Sequence, residues 1–454
     1  MSDNIKNEQS IPKLVFKNAI PAITAMIMVV IYNMADLFFI GQTGNDYMVA
    51  AVSLATPVFM LFMALASIFG IGGTSIISRS FGAGNNKYAQ NVSAFCFWGS
   101  ITVGGILSLL IILFADNISV LLGGSVETVE MVSSYLRVLA ISGPFILLSS
   151  TFSNIVRAEG SPMSAAIGML LGNIVNIILD PVFILGFELG VTGAAIATVI
   201  GNIASGLYYV YYLNRKTEKL SINIKDFKMK DGVLKNVLLI GIPASLASLL
   251  MSISTLVANG VMASYGDLAV AGLGVAMKVM MITTFVAMGF GQGIQPVLGY
   301  LVGAKDDEKF RKVIRFSLIS STIISVTMTL GTFLALKPIV SAFVTDPNSF
   351  DYAFSFTRTL LLTSSTFGMF FVLVNTLQAM GAAKASLITS VSRQGLVYIP
   401  MILILNATFG VNGAILAQPV ADIVSVLILF YLYRTESRKM YNINIENLDP
   451  QLSM

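Results

Sequence analysis

The sequence predicts an all-α membrane protein with twelve transmembrane helices in two pseudo-symmetric six-helix lobes. Composition gives the first indication: 56% of the 454 residues are apolar and 11% are charged, whereas soluble domains carry about 25% charge. The second indication is a unit of about 220 residues that occurs twice. Both copies consist of apolar segments long enough to cross a bilayer.

The repeat keeps an almost constant offset along a whole half of the chain. Five matching residues or motifs lie 220 to 222 positions apart: Pro21 and Pro243, Gly82-Ala83 and Gly303-Ala304, Arg137 and Arg358, Ala158/Gly160 and Ala379/Gly381, Gly190–Ala194 and Gly410–Ala414. Duplicated membrane bundles are typical of carriers that rock one half against the other around a shared cavity. The repeat therefore predicts transport as well as a fold.

Hydropathy in windows of about 20 residues places each span in turn. The first six lie near residues 14–40, 49–80, 91–114, 129–157, 163–186 and 193–213, and the second six near 236–263, 270–299, 313–336, 354–380, 386–408 and 411–433. These segments are too long and too rich in glycine for barrel strands. We expect an N-lobe over residues 1–213, a basic cytoplasmic linker over 214–235, and a C-lobe over 236–454 that ends in a short cytoplasmic tail.

Lysine and arginine concentrate in the connections on one side of the predicted bundle, after even-numbered spans. They include Arg79, Lys87, Arg157, Lys305, Lys309, Arg311, Lys312, Arg315, Lys384 and seven basic residues in the linker. The positive-inside rule then predicts that both termini are cytoplasmic. The basic linker is explained by this topology signal, and binding of phospholipid headgroups is the alternative.

The residue inventory argues against an enzyme. The chain has no histidine and a single cysteine, Cys96, which excludes a Ser/His/Asp triad and an intramolecular disulfide. The glycine-rich stretch at 289–293 lies within an apolar span without the lysine of a phosphate-binding loop, and is typical of close helix packing. We expect no cofactor, and no metal beyond a sodium ion at the N-lobe site.

Five ionisable residues fall inside predicted spans: Asp36, Asp180, Lys278, Arg393 and Asp422. Charges at membrane depth are costly and are functional candidates. Asp36 and Asp180 both lie roughly 8–9 Å below the outer end of their helices at 1.5 Å per residue. Thr198 has a similar depth. Tyr32 shares a helical face with Asp36, and Asn173 and Asn176 share one with Asp180.

Two carboxylates at one depth, with amide and hydroxyl neighbours, are suited to holding a small cation. A carboxylate pair in apolar surroundings takes up a proton near neutral pH, and the same oxygen atoms could coordinate sodium. The alternative is a polar network that only pins helices together. In the second half we expect an ion pair between Lys278 and Asp422, with substrate gating or a second cation path as the alternative. No partner is predicted for Arg393.

Several motifs resemble the multidrug and toxic compound extrusion (MATE) family, in particular its bacterial MepA-like and DinF-like groups. They are, in chain order, residues 35–41 (ADLFFIG), 79–84 (RSFGAG), 157–162 (RAEGSP), 176–183 (NIILDPVF) and 193–198 (GAAIAT). The resemblance extends over essentially the whole chain. It implies a V-shaped pair of lobes and cation-driven export of bulky, often cationic, amphipathic compounds.

The resemblance also implies a site. In DinF-like members an N-lobe network binds the coupling ion, a proton or sodium, and its members correspond here to Tyr32, Asp36, Asn154, Asn176, Asp180 and Thr198. The NorM-like pattern of acids in spans seven and ten is absent, because those spans carry Asn259, Asn375 and Gln378 instead. The expected partners are small-molecule drugs and membrane lipids, with no nucleic acid, and the expected state is a monomer in the bacterial inner membrane.

Two other functions compete with drug and cation antiport. A flippase for a lipid-linked precursor tends to carry basic cavity residues for pyrophosphate, whereas the interior of the first half is acidic. A membrane aspartyl protease also needs two acids, but the usual Gly-x-Gly-Asp context is absent around Asp36 and Asp180. Antiport is therefore the favoured prediction.

Overall fold

The computed structural model describes Glu8, residues 10–344 and residues 347–448, except for the side chains of residues 46, 348 and 441–448. Within these ranges the chain is almost entirely helical and contains no strand, which confirms the predicted all-α class. The predicted lobes also include residues 1–7, 9, 345–346 and 449–454, which lie outside the described residues.

The first half forms seven α-helices. They are α1 (Ile11–Gly41), α2 (Asp46–Gly82), α3 (Asn86–Leu121), α4 (Val129–Ile141), α5 (Gly143–Ala158), α6 (Pro162–Pro181) and α7 (Gly190–Arg215). A π-helical segment, Val182–Gly186, continues α6. The linker that follows contains one short 3-10 helix, Ile224–Asp226.

The second half forms eight α-helices. They are α8 (Val233–Ala263), α9 (Asp267–Gly303), α10 (Asp307–Leu334), α11 (Leu336–Phe343), α12 (Pro347–Ser364), α13 (Phe367–Met380), α14 (Ala383–Val391) and α15 (Ile399–Leu448). A π-helical segment, Ser392–Tyr398, joins α14 to α15.

Twelve membrane crossings follow from these elements. Nine helical stretches among the described residues are long and apolar enough to cross a bilayer, and two bent pairs, α4–α5 and α12–α13, each form one more crossing. The last of the nine, Ala383–Met440, has 58 residues, too many for one crossing of about 20. Its backbone leaves the helical conformation at Gly410, where φ is 61°, and this break separates the eleventh span from the twelfth.

Two spans are bent where the sequence analysis expected single helices. The axis turns by 56° between α4 and α5 and by 51° between α12 and α13. The first bend falls at Ser142, directly before Gly143 and Pro144. Proline has no backbone N–H to continue the preceding helix but is accepted in a first helical turn, so the chain restarts as a new helix there.

The chain divides into two compact units whose limits differ from the two sequence repeats. One unit contains Thr24–Phe81 and Asn85–Ser245, and the other contains the described residues up to Ile23, Gly82–Gly84 and the described residues from Leu246 onward. The first part of α1 thus belongs with the second half, and the first part of α8 belongs with the first half. Both crossovers lie two residues after a proline inside a helix, Pro21 and Pro243.

Glycines let these exchanged segments pack at backbone distance inside the unit that each one joins. A Cβ atom on Gly293 of α9 would lie 2.6 Å from the Cα atom of Ala19 in α1. A Cβ atom on Gly241 of α8 would overlap the carbonyl oxygen of Ile68 in α2. Small residues of this kind are typical of close helix crossings in membranes. Each exchanged segment is therefore an integral part of its unit.

Candidate functional site

The two acids of the first half occupy the same polar cluster inside one unit. Asp36 lies in the C-terminal part of α1 and Asp180 at the end of α6, where its side chain is fully buried. Asp36, Asp180 and Tyr32 lie within electrostatic range of one another. The structure thus brings together the two acids that the sequence placed at one depth.

Asn176 links the cluster to α7. Its amide nitrogen Nδ2 lies 3.4 Å from Asp180 Oδ1 and 3.3 Å from Thr198 Oγ1. All three side chains are buried. One amide therefore spans the gap between two helices and holds one oxygen of Asp180 in place.

Several polar atoms of the cluster are buried without a hydrogen-bond partner among the described residues. They are Asp36 Oδ1, Asp180 Oδ2, Asn176 Oδ1 and Asn173 Nδ2. An unsatisfied buried polar group costs about 1–3 kcal/mol, and more when it is charged. Three of these four atoms are oxygens, so the cluster offers acceptor groups that match a bound proton or a small cation.

A close crossing of α6 and α7 sets the geometry of the cluster. A Cβ atom on Gly201 would lie 2.6 Å from the carbonyl oxygen of Gly172 and 3.2 Å from Cβ of Asn176. Only glycine permits this approach, and the crossing lies about one helical turn from Asn176 and from Thr198. The two helix backbones therefore fix the distance over which the Asn176 amide reaches Thr198.

The backbone next to Asp180 departs from the α-helix. Pro181 follows the acid directly and lies at the boundary between α6 and the π-helical segment Val182–Gly186. Proline removes one helical hydrogen bond, and π-helical turns are frequent at functional sites. This local geometry is adjacent to the acid most deeply buried in the cluster.

Asn154, which the resemblance adds to this network, is hydrogen-bonded within its own helix, and its membership of the network stays a prediction. Its amide nitrogen donates to the carbonyl oxygen of Ser150 at 2.9 Å and lies 3.2 Å from the position that a Cβ atom on Gly70 would take. Asn154 lies near the end of α5 and contacts its own helix and α2.

The second half holds a different polar cluster, centred on Asp422, whose side chain is buried. Asp422 Oδ1 accepts hydrogen bonds from Arg393 Nε at 2.9 Å and from Gln418 Nε2 at 2.8 Å. Its other oxygen accepts from the hydroxyl of Thr363 at 2.9 Å. The Arg393 guanidinium also lies over the aromatic rings of Phe367 and Phe370, at 5.1 and 4.5 Å.

The expected ion pair between Lys278 and Asp422 is therefore wrong. Among the described residues, the basic partner of Asp422 is Arg393, and Lys278 lies on an exposed face of α9. Depth along two helices suggested the Lys278 pairing, but helix rotation decides which side chains meet. The π-helical segment Ser392–Tyr398 carries Arg393 to the acid.

Comparison with known proteins identifies the family. The family model described as MatE matches the chain twice, over residues 21–182 and 243–404. The two matches begin at Pro21 and Pro243, so they reproduce the internal repeat. Together they cover more than half of the chain. The chain belongs to the MatE family.

Relatives and solved structures of the MATE family match this chain over nearly its whole length. It is 33% identical over 432 residues to a multidrug export protein MepA of Staphylococcus haemolyticus, covering 95% of both chains, and 33% identical over 418 residues to a multidrug export protein MepA of Staphylococcus aureus, covering 91% of this chain and 92% of the relative. A crystal structure of a MATE protein in complex with MaL6 superposes with a TM-score of 0.90 at 26% identity, covering 95% of this chain and 98% of the other. An outward-facing multidrug resistance MATE family transporter also gives a TM-score of 0.90 at 26% identity, covering 95% and 97% of the two chains. The chain is therefore a multi-pass membrane transporter of the MATE family.

The structure of this MATE family member shows two residues in the polar clusters that the sequence analysis did not assign to a site. Tyr135 of α4 is buried and lies within electrostatic range of Asp36, Asp180 and Tyr32. No spacing pattern linked it to α1 or α6, because it comes from a third helix. The second is Arg393, whose partner is 29 residues away in the sequence.

Proposed function

We propose that this transporter exports amphipathic, often cationic, drugs in exchange for a proton or a sodium ion, with the two repeats giving access to each side of the membrane in turn. The observation that carries the proposal is the pair of acids in one unit, Asp36 and Asp180, each with one buried carboxylate oxygen that has no hydrogen-bond partner among the described residues. The names of the relatives, multidrug export proteins, support small-molecule drugs as the substrates.

Three side chains are proposed to hold the coupling ion. Asp36 and Asp180 would bind it through Oδ1 and Oδ2, and Asn176 would contribute its unpaired Oδ1. Thr198 would fix the orientation of the Asn176 amide through its hydroxyl. A proton would be shared between carboxylates, whereas sodium would need several of these oxygens together. Tyr32 and Tyr135 would line the site without carrying charge at neutral pH.

The second half is proposed to support the transport cycle without binding a coupling ion of its own. Its interior acid, Asp422, already holds a guanidinium and two further hydrogen-bond donors. This arrangement also weakens the flippase alternative, since a neutralised arginine is a poor partner for a pyrophosphate. Antiport driven from the first half remains the function that these contacts support best.

Topology and setting complete the proposal. The basic residues of the linker and of the connections after even-numbered spans favour cytoplasmic termini. We propose a monomer in the bacterial inner membrane that needs no cofactor and works on small molecules in a lipid environment. The acids Asp36 and Asp180 would then lie in the outer half of the bilayer, where the ion enters from outside.

Transport by purified protein in proteoliposomes tests the proposal. A proton gradient and a sodium gradient are imposed separately, and movement of a fluorescent cationic drug is recorded. We expect one of the two gradients to drive drug movement, and the doubly substituted Asp36→Asn/Asp180→Asn protein to give no movement with either. Drug movement by the wild type that neither gradient affects would refute cation coupling.

A further inference from the structure

The linker between α7 and α8 is fixed against the beginning of α3. The indole nitrogen of Trp98 donates to the carbonyl oxygen of Ile222 at 3.1 Å, and Gln90 Nε2 donates to the carbonyl oxygen of Glu218 at 2.9 Å. The ring of Phe227 stacks on Phe95 with a centroid separation of 6.0 Å. These contacts pack the linker against α3 within a single unit.

One acidic side chain of the linker, Asp226, is paired on the side of the linker that faces α3 and so does not add negative charge to its exposed face. Asp226 accepts from Lys87 Nζ and from Ser221 Oγ, each at 2.6 Å. The hydrogen bond from Lys87, with that from Ser221, holds the pKa of Asp226 below its ordinary value, so this carboxylate stays ionised and paired. Its charge is compensated on the side that faces α3.

The outer surface of the linker is basic and carries two protruding apolar side chains. All seven basic residues of the stretch 214–235 are exposed, against three acidic residues in the same stretch. Between them, Ile224 is 60% exposed and Met229 is 53% exposed. Lys225, Lys228 and Lys230 flank these two side chains directly. This combination of cations around apolar groups is typical of segments that bind at a membrane surface.

Helix α3 places this surface at the level of the lipid headgroups. Before the break at Phe114 the helix runs from Asn86 to Leu113 and is about 42 Å long, beyond the roughly 30 Å hydrocarbon thickness. Counting about 20 apolar residues back from Asp116 reaches Cys96, beside Trp98. Tryptophan is enriched at this boundary, and Trp98 is the only tryptophan in the chain. Ile222, bonded to its indole, lies at the same level.

We propose that Lys225, Lys228 and Lys230, with Ile224 and Met229, form a binding surface for anionic phospholipid headgroups. The lysines would contact the phosphate groups and the two apolar side chains would enter the headgroup and acyl boundary. A lysine close to an anionic surface contributes about 1 kcal/mol, which corresponds to about a fivefold preference for each lysine. This surface is separate from the ion site and does not depend on the transported substrate.

The lone tryptophan gives a direct measurement of this preference. The intact protein is reconstituted in phosphatidylcholine bilayers with increasing amounts of brominated phosphatidylglycerol or of brominated phosphatidylcholine, and quenching of Trp98 fluorescence is recorded. We expect the anionic lipid to quench at a concentration at least about fivefold lower than the zwitterionic lipid. Raising the salt concentration to 0.5 M should reduce that preference, because it screens exposed charges.

Substitutions decide whether the linker is responsible. In the variant Lys225→Gln/Lys228→Gln/Lys230→Gln, the two lipids should quench Trp98 equally, because the charges that select the anionic lipid are gone. The contacts of the linker with α3 are untouched, so Trp98 keeps its position. The matched control, Lys305→Gln/Lys312→Gln/Lys384→Gln, removes the same charge from exposed positions outside the linker and should keep the preference. Equal quenching in the wild type, or a preference that survives the linker substitutions, would overturn the proposal. If the triple variant is not produced, the salt dependence of the wild type decides alone.

Discussion

At the residue scale, the interior acids of the two halves differ in whether they have a basic partner. Asp422 is neutralised by Arg393, whereas Asp36 and Asp180 have unpaired oxygens and no basic partner within ion-pair distance among the described residues. In the repeat register, Arg393 and Asp422 correspond to Asn173 and Asn202. The second half therefore has the Arg393 guanidinium at a position where the first half has an amide. This difference favours binding of the coupling ion in the first half alone.

Substitution of the first-half acids tests this assignment. Asp36→Asn and Asp180→Asn keep the side-chain shape but remove the charge that exchanges a cation, so each should reduce drug efflux to the level of vesicles without protein. Protein abundance in the membrane should stay unchanged. Asp116→Asn is the matched control, because Asp116 is exposed and pairs with Arg137 at the surface. Normal efflux in both cluster variants would contradict the assignment.

The Arg393–Asp422 pair leads to a prediction about stability. Arg393→Met leaves the buried Asp422 without its basic partner, which costs about 3–5 kcal/mol, and Asp422→Asn leaves the partly buried Arg393 without its acid, which should cost less. The double variant removes both groups and should be more stable than either single variant. Thermal unfolding in detergent measures the series, with Lys278→Met as a control that should match the wild type because Lys278 is exposed. A double variant no better than the worse single variant would argue against a pairwise interaction.

Asp36, Asp180, Asn176 and Thr198 could be assigned to one site from the sequence. Their depth follows from the rise of a regular helix, and the face that each occupies follows from its period. The same reasoning failed for Lys278, since depth says nothing about rotation toward a neighbour. Tyr135 was also beyond reach, because it lies on a third helix whose packing against the other two does not follow from helical spacing.

At the element scale, most spans predicted from hydropathy agree with the helices to within about four residues, whereas the helices of the third, ninth, tenth and twelfth spans extend further beyond the predicted limits. Span seven, expected near 236–263, is observed as Val233–Ala263. The apolar windows locate such helices because crossing a bilayer requires about 20 apolar residues. Hydropathy does not detect the bends within the fourth and tenth spans or the π-helical segments, since these change backbone hydrogen bonding and leave composition the same.

The crossing of α6 and α7 gives a prediction at this scale. Gly201→Ala places a methyl group 2.6 Å from the carbonyl oxygen of Gly172, so the helices must separate. The bond between Asn176 and Thr198 should then lengthen, with a loss of about 1–3 kcal/mol in stability and a lower efflux rate. Thermal unfolding and vesicle transport measure the two effects.

Gly260→Ala in α8 is the control for this prediction. A Cβ atom on Gly260 would have no atom within 4 Å, and alanine is favoured over glycine in a helix by up to about 1 kcal/mol. This variant should be at least as stable as the wild type and should transport normally. If Gly201→Ala behaves in the same way, the close crossing is not needed to maintain the site.

At the scale of the whole molecule, an exporter driven by inward cation flow must not carry drug and cation together. Protonation of Asp36 and Asp180 removes negative charge that attracts a cationic substrate, so drug affinity should fall as pH is lowered. Linkage requires the reverse effect as well: a bound cationic drug should weaken proton binding by the same factor.

Binding of a cationic dye to purified protein in detergent measures this competition. Affinity is recorded across the acidic to mildly alkaline range, with and without sodium. We expect weaker dye binding at low pH or at high sodium in the wild type, and a flat profile for Asp36→Asn. Dye affinity that responds to neither pH nor sodium in the wild type would contradict competition between the two ligands.

The exchange of the first parts of α1 and α8 between the two units has a consequence for how the gene can be divided. A cut in the linker yields two polypeptides, and each lacks a helical segment that completes its own unit and carries a segment that completes the other. This is the pattern of a domain swap. Neither polypeptide should fold alone, but the two should complement each other when they are produced in one cell. By the same logic, a six-helix ancestor that preceded the duplication would have been an obligate homodimer.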